Sequence, residues 1–166
     1  TLFRSSPIEH PDFQDYFTSK LKIFGQAQVN CVNLDCDHAP EVLAAAQAAG
    51  KPVIAFSQKN PQADVYASSV RKEDGQTVFQ VRTPSYEREF RLTMPGLFNV
   101  ENALGVIAVC EALHIPDWAV YDGLVRARVP GRMEVFSNAD GSVQAIVDYA
   151  HNRLSFETLF RSVREE

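Results

Sequence analysis

The sequence predicts an α/β fold in which antiparallel strands are added to a parallel sheet. Two patterns in the sequence support this prediction. The first half of the chain alternates helix and strand signals, and three segments of alternating apolar and polar residues follow in the middle. The 166 residues are 45% hydrophobic, which is enough apolar material for one sizeable core.

The order of the elements follows from periodicity and from turn residues. The chain begins with a helix, a strand, a second helix with Asp37 as a candidate N-cap, and a second strand, so we expect two parallel strands joined by a right-handed crossover. The sequence Glu73-Asp74-Gly75-Gln76 predicts a hairpin turn, and the antiparallel strands around it would form an insertion or an edge layer on the parallel sheet. The predicted elements are helix 12–24, strand 28–34, helix 41–49, strands 52–56, 64–71, 77–83 and 87–92, helices 99–113 and 117–125, strands 133–136 and 143–147, and a final helix that begins near residue 154.

Composition argues against several classes of function. The formal net charge is −5 and no basic run offsets it, which argues against a nucleic-acid partner. No apolar run approaches the ~20 residues that span a bilayer, so membrane insertion is not expected. The three cysteines form no C-x-x-C pair and fit a reducing cytoplasm. Both ends of the sequence look cut, so we expect a piece of a longer protein.

Two asparagines, Asn99 and Asn102, lie one turn apart at the start of a predicted apolar helix. Helix capping explains one asparagine in such a place, but not a second one at a three-residue offset. A carboxamide is both a donor and an acceptor, which suits the Watson–Crick edge of adenine. The pair is therefore a candidate base-binding site, with capping by Asn99 as the alternative.

Arg132, Asp148 and His151 are the second group of candidate residues. Arg132 follows Gly131 in a predicted turn, and a planar cation there suits a phosphate or a ribose. Asp148 ends an apolar strand, where open α/β sheets bind ligands, and His151 follows three residues later. The alternatives are a surface ion pair for Arg132, a helix cap for Asp148 and a structural role for His151.

Four parts of the sequence, in this order, resemble the Mur ligases, the ATP-dependent amide-bond ligases of peptidoglycan synthesis. The segments GRMEVF and VDYAHN are similar to the branch of the family that adds the third residue of the peptide. The matching segments are residues 9–24 followed by VNLDCD at 32–37, PGLFNVENAL at 95–104, VPGRMEVF at 129–136 and IVDYAHN at 146–152.

The resemblance implies a domain organisation and a reaction. In this family a UDP-binding domain precedes a P-loop-type ATP-binding domain and a Rossmann-like C-terminal domain. Residues 1–132 would be the latter part of the central domain, and residues 133–166 would begin the C-terminal domain. The implied reaction uses ATP and Mg²⁺ to join L-lysine or diaminopimelate to UDP-N-acetylmuramoyl-L-alanyl-D-glutamate through an acyl phosphate. A monomeric, cytoplasmic enzyme is expected.

The resemblance also implies roles for the candidate nucleotide-binding residues. Asn102 takes the position that contacts adenine, and Asn99 belongs to the same cofactor-binding segment. Arg132 and Asp148 take positions that bind the ribose and the phosphates. His151 takes a position against the nucleotide.

Lys20 takes the position of the family's carbamylated lysine, whose carbamate is a carboxylate-like ligand for Mg²⁺. The residue pattern alone favours two solvated lysines, Lys20 and Lys22, with their stems on apolar surface. His10 is a candidate substitute for a Mg²⁺-binding histidine that precedes this segment in relatives. In this chain the corresponding stretch, residues 3–6, has no histidine.

One departure from the family pattern concerns the phosphates of ATP. No G-x-x-G-K-[ST] sequence occurs in these 166 residues, so we expect this polypeptide alone not to be a competent ligase. Two alternatives stay open. One is a related ligase, such as a folylpolyglutamate or cyanophycin synthetase, and the other is a non-catalytic Mur-like domain.

Overall fold

A computed structural model describes residues 10–151 and 153–165 of the chain. The predicted order of helices and strands is confirmed, with bounds that shift by a few residues. The elements are α1 (Phe13–Leu21), followed by a 3₁₀ turn (Lys22–Gly25), β1 (Asn30–Asn33), α2 (Ala39–Ala48), β2 (Val53–Ser57), β3 (Val65–Glu73), β4 (Gln76–Arg82), β5 (Glu87–Leu92), α3 (Phe98–Ala112), α4 (Asp117–Arg126), β6 (Glu134–Ser137), β7 (Gln144–Val147) and α5 (Arg153–Glu165).

The strands β1 to β5 form one mixed sheet in chain order, while β6 and β7 pair with each other in a second sheet. The parallel pairs are β1 with β2 and β2 with β3, and the antiparallel pairs are β3 with β4 and β4 with β5. The predicted α/β fold is confirmed. The strands predicted as an insertion or an edge layer extend the parallel sheet at its edge, because β3 pairs with β2 in parallel and β4 and β5 follow it.

The core lies between this sheet and helix α3. Apolar residues recur in α3 at spacings of three and four, so one face of the helix packs on the sheet. Val100, Leu104 and Ile107 are fully buried there. On the sheet, Phe79 and Phe90 are cross-strand partners whose ring centroids lie 6.1 Å apart. This packing fixes the N-terminal part of α3, which carries the two asparagines, against the sheet.

Local backbone chemistry explains the turns. Asp74 and Gly75 both have positive φ, 51° and 73°, as a two-residue hairpin turn between twisted strands requires, so the predicted hairpin is confirmed. Helix α2 begins at Ala39 with His38 at the N-cap position and Pro40 in its first turn. The expectation that Asp37 occupies the N-cap position is therefore wrong.

Two of the three cysteines are partly buried against the core, and the third is exposed. Cys31 and Cys110 are partly buried against the core, and this burial raises the pKa of both thiols. Cys36 is exposed. Within residues 10–151 and 153–165, no helix has the length and apolar character needed to cross a membrane.

Candidate nucleotide-binding site

The first turn of α3 holds Asn99 inside the protein. Leu97 occupies the N-cap position, so Asn99 lies within the helix and the capping alternative is wrong. Asn99 is only 9% exposed. Its Nδ2 donates to the carbonyl of Pro95 at 2.7 Å, and its Oδ1 accepts from Nδ2 of Asn102 at 3.1 Å. The amide of Asn99 is therefore occupied by contacts that orient its neighbour.

Asn102 is exposed, in contrast to Asn99. One N–H of its amide is bound to Asn99, which leaves a carbonyl oxygen and a second N–H for a ligand. This donor and acceptor are the pair that an adenine edge needs. The geometry favours Asn102 as the contacting residue and Asn99 as the residue that holds it.

Polar contacts also tie α3 to the carboxyl edge of the parallel strands. Nδ2 of Asn33, at the end of β1, donates to Oε1 of Glu101, the residue before Asn102. Asp35 accepts from Oγ of Ser57 and from the backbone N–H of Gln58, both at 2.6 Å, and so links the ends of β1 and β2. The first turn of α3 is thus fixed from the sheet edge as well as from the core.

The turn that carries Arg132 has an unusual backbone. Gly131 and Met133 both have positive φ, 70° and 49°, and Met133 is buried although its conformation is one that non-glycine residues seldom adopt. The backbone N–H of Gly131 donates to Oε2 of Glu134 at 2.7 Å. On the other side, the N–H of Met133 donates to Oδ2 of Asp148 at 2.9 Å.

The guanidinium of Arg132 lies over an aromatic ring. Its Cζ is 5.1 Å from the ring centroid of Tyr149, within cation–π range. No carboxylate of the described residues forms an ion pair with it, so the predicted alternative of a surface ion pair is not what the structure shows. Among the described residues, the charge of Arg132 therefore has no paired carboxylate.

Asp148 and His151 are brought to the same place by the end of β7. Oδ1 of Asp148 accepts from the N–H of Ala150 at 2.7 Å, and Oδ2 binds the Arg132 turn. Helix α5 begins only at Arg153, so Asp148 does not cap it. The imidazole of His151 is exposed, and its centroid lies 4.9 Å from that of Tyr149.

A cleft of about 690 Å³, a size typical of small-molecule sites, is lined by the Arg132 turn and by residues 93–95, which precede α3; Asn102, Asp148 and His151 are not among its lining residues. Pro95, whose carbonyl holds Asn99, lines it together with Arg132. Other lining residues are Lys72, Arg128, Glu134 and Phe136. Three cations around partly apolar walls make the cleft suitable for a flat anionic ligand such as a nucleotide.

Lys20 and His10 lie elsewhere, on either side of Tyr16. Nζ of Lys20 is 5.5 Å from the Tyr16 ring centroid, and the His10 ring packs edge-on against the same ring. Nδ1 of His10 is 2.7 Å from Oδ2 of Asp15. The described part of the chain contains no cluster of three or more histidine, cysteine or acidic side chains that could hold a metal ion. These residues therefore do not complete a Mg²⁺ site by themselves, and the metal roles of Lys20 and His10 stay predictions.

Two residues of the site were not singled out by the sequence. Glu134 contacts the backbone of the Arg132 turn and Tyr149 contacts the Arg132 side chain, and they lie in the segments GRMEVF and VDYAHN. The only signal in the sequence is their adjacency to candidate residues.

Comparison with known proteins gives consistent results. A family model, "Mur ligase middle domain", matches residues 9–110. The chain is 35% identical to the UDP-N-acetylmuramoyl-L-alanyl-D-glutamate–L-lysine ligase of Enterococcus faecalis, over 97% of this chain and 32% of that protein. It is 30% identical to the corresponding 2,6-diaminopimelate ligase of Clostridioides difficile, over 94% of this chain and 32% of that protein.

Among solved structures, MurF from Acinetobacter baumannii has a similar fold, with a TM-score of 0.82 and 24% identity over 95% of this chain and 34% of that one. The chain thus spans about a third of the length of the relatives that it matches. The family match includes Lys20, Asn99 and Asn102 and ends before Arg132.

Proposed function

The chain belongs to the Mur ligase family, and on this premise we propose that the protein containing it is an ATP-dependent, amide-bond-forming ligase of peptidoglycan synthesis. The proposed reaction joins L-lysine or 2,6-diaminopimelate to UDP-N-acetylmuramoyl-L-alanyl-D-glutamate in the cytoplasm. The names of the two curated relatives support this substrate and both amino acids. The structure supports the binding of a nucleotide.

One observation carries the nucleotide part of the proposal: the Arg132 guanidinium, without an ion-pair partner among the described residues, lines a cleft that reaches Pro95, whose carbonyl holds Asn99 beside Asn102. We assign the adenine edge to Asn102, with Asn99 as its support. We assign Arg132 to a phosphate of the nucleotide, where its charge is not offset by an ion pair with any described residue. Asp148 and His151 lie beside it, at the carboxyl end of β7.

ATP, when bound, supplies the phosphoryl group that activates the acceptor carboxylate. The residues of this chain would bind and orient that nucleotide: an amide fixes the base, and a cation fixes the negative end. We propose Lys20 as a carbamylated lysine, because a carbamate offers the oxygen ligands that Mg²⁺ prefers. No step is assigned to the ion, since the described residues around Lys20 and His10 do not complete a site for it.

We also propose that residues 1–132 belong to the ATP-binding domain and that residues 133–166 begin the next one. Strands β6 and β7 pair only with each other and not with the five-stranded sheet, which supports a boundary at the Arg132 turn. The cleft lies at this boundary, between residues 72–95 and 128–136. A nucleotide there would touch both domains.

The direct test is phosphate release by the whole protein that contains this chain. ATP and UDP-N-acetylmuramoyl-L-alanyl-D-glutamate are supplied with L-lysine or with diaminopimelate, and the tripeptide product is identified by mass. The proposal expects turnover with one amino acid and none without the nucleotide-linked dipeptide. Turnover only with a folate and glutamate would favour the related ligase, and no turnover with any acceptor would favour the non-catalytic domain.

A further inference from the structure

We propose that Glu134 and Tyr149 are positioning residues that hold Arg132 ready for an anion. This inference rests on the proposed function, because it takes Arg132 as the residue that meets the negative part of the nucleotide. It concerns two residues for which neither the sequence nor the relatives' names suggest a role. Both act on Arg132, one through its backbone and the other through its side chain.

The backbone of Arg132 is braced on both sides by carboxylates. Glu134 accepts the N–H of Gly131, and Asp148 accepts the N–H of Met133, at lengths typical of charge-assisted hydrogen bonds. A left-handed backbone is unfavourable for a non-glycine residue such as Met133, so this turn needs contacts that hold it. The antiparallel register supplies them, because Glu134 pairs with Val147, the residue before Asp148.

These two carboxylates are the natural ion-pair partners of a nearby arginine, yet each is hydrogen-bonded to a backbone N–H instead. Neither carboxylate forms an ion pair with the Arg132 guanidinium. These two hydrogen bonds therefore fix the backbone from which the Arg132 side chain extends. The five N–H donors of the guanidinium are left for a ligand, since neither carboxylate binds them.

The side chain of Arg132 is held by Tyr149. This tyrosine is 64% exposed, so packing in the core does not account for its place. Its ring contacts both side chains: the centroid lies 5.1 Å from Cζ of Arg132 and 4.9 Å from the ring centroid of His151. A planar cation stacked on an aromatic ring loses less freedom when it binds an anion, because part of its ordering has already taken place.

The experiment uses the 166-residue chain and two readouts. The first is ¹⁵N relaxation of the Nε–Hε group of Arg132 without nucleotide, which reports how ordered the guanidinium is. The second is the Kd for ADP by calorimetry. The disruptive variants are Glu134→Ala and Tyr149→Leu. The conservative variants are Glu134→Gln, which keeps an acceptor for the N–H of Gly131, and Tyr149→Phe, which keeps the ring.

A matched control is Tyr66→Leu, since Arg82 lies 6.0 Å from the Tyr66 ring at a site away from the cleft. We expect both disruptive variants to lower the order of Arg132 and to weaken ADP binding. For Tyr149→Leu the loss is about two- to fivefold, the effect of about 0.5–1 kcal/mol at an exposed cation–π site. The conservative variants and the control should leave both readouts near those of the unmodified chain.

The inference is overturned if Glu134→Ala and Tyr149→Leu leave the order of Arg132 unchanged. It is also overturned if Glu134→Gln tightens ADP binding, because Glu134 would then act through its charge and not as an acceptor. If Glu134→Ala unfolds the chain, Tyr149→Leu decides, since Tyr149 is exposed. Failure of the proposed function looks different: ADP binding would then be insensitive to Arg132→Gln, while the order of Arg132 would still fall in the disruptive variants.

Discussion

Replacing Arg132 by glutamine should weaken the binding of phosphates and spare that of the base. Glutamine keeps a polar side chain of similar length but removes the charge that no described carboxylate neutralises. Hydrogen bonds to charged groups contribute about 1.5–3 kcal/mol, and because Arg132 is exposed we take the lower end of that range. This corresponds to a roughly tenfold rise in the Kd for ADP.

The assay is calorimetric titration of the chain with adenosine, AMP and ADP at one salt concentration. We expect Arg132→Gln to raise the Kd for ADP about tenfold and to leave that for adenosine within about twofold, because only ADP carries the phosphate charge. Arg126→Gln is the matched control: Arg126 is exposed, pairs with Asp122 within α4 and does not line the cleft. If Arg132→Gln raised the Kd for adenosine and for ADP by the same factor, or changed neither, the assignment of Arg132 to the phosphates of the nucleotide would be refuted.

Three further predictions concern the base, the core and a buried hydroxyl. Asn102→Ala should raise the Kd values for adenosine and ADP by the same factor, about fivefold for the loss of about 1 kcal/mol; a loss for ADP alone would contradict a base contact. Leu104→Ala should lower the free energy of unfolding in urea by about 2–5 kcal/mol, whereas Val106→Ala, on the exposed side of α3, should change it by less than about 0.5 kcal/mol; equal effects would contradict the packing of α3 on the sheet. Burial, with a smaller contribution from Glu111, raises the pKa of Tyr86 to about 12, so the unfolded chain loses this phenolic proton near pH 10 while the folded chain keeps it. The free energy of unfolding should therefore fall as the pH rises from 10 to 12. Tyr86→Phe removes this hydroxyl, which is buried without a hydrogen-bond partner among the described residues, and should lack this part of the decline. If the variant and the unmodified chain showed the same pH profile, the raised pKa of Tyr86 would be disproved.

Local features of the fold were predictable because they depend on local chemistry. Apolar spacing predicted α3, and the Asp74-Gly75 pair predicted the hairpin turn through its need for positive φ. The parallel pairing of β3 with β2 was not predictable in this way. Alternation of apolar and polar residues shows that a segment is a half-buried strand, but not which strand lies beside it or in which direction.

The sequence indicated which residues belong to the site more reliably than it indicated what each of them does there. The two asparagines stood out, but whether Asn99 caps α3 or lies inside its first turn depends on a boundary two residues away, at Leu97. The contribution of Glu134 depends on the left-handed backbone at Met133, which no sequence rule requires of a methionine. Tyr149 meets Arg132 only because β6 and β7 pair in one particular register.

A crystal structure of the chain with ADP tests the central claim most directly, namely that Asn102 and Arg132 hold the two ends of one nucleotide. The prediction is adenine within hydrogen-bond distance of the Asn102 amide and a phosphate oxygen within hydrogen-bond distance of the Arg132 guanidinium, which remains over Tyr149. ADP bound beside Lys20, or bound in the cleft with its base against Arg132 and its phosphates against Asn102, would contradict the claim.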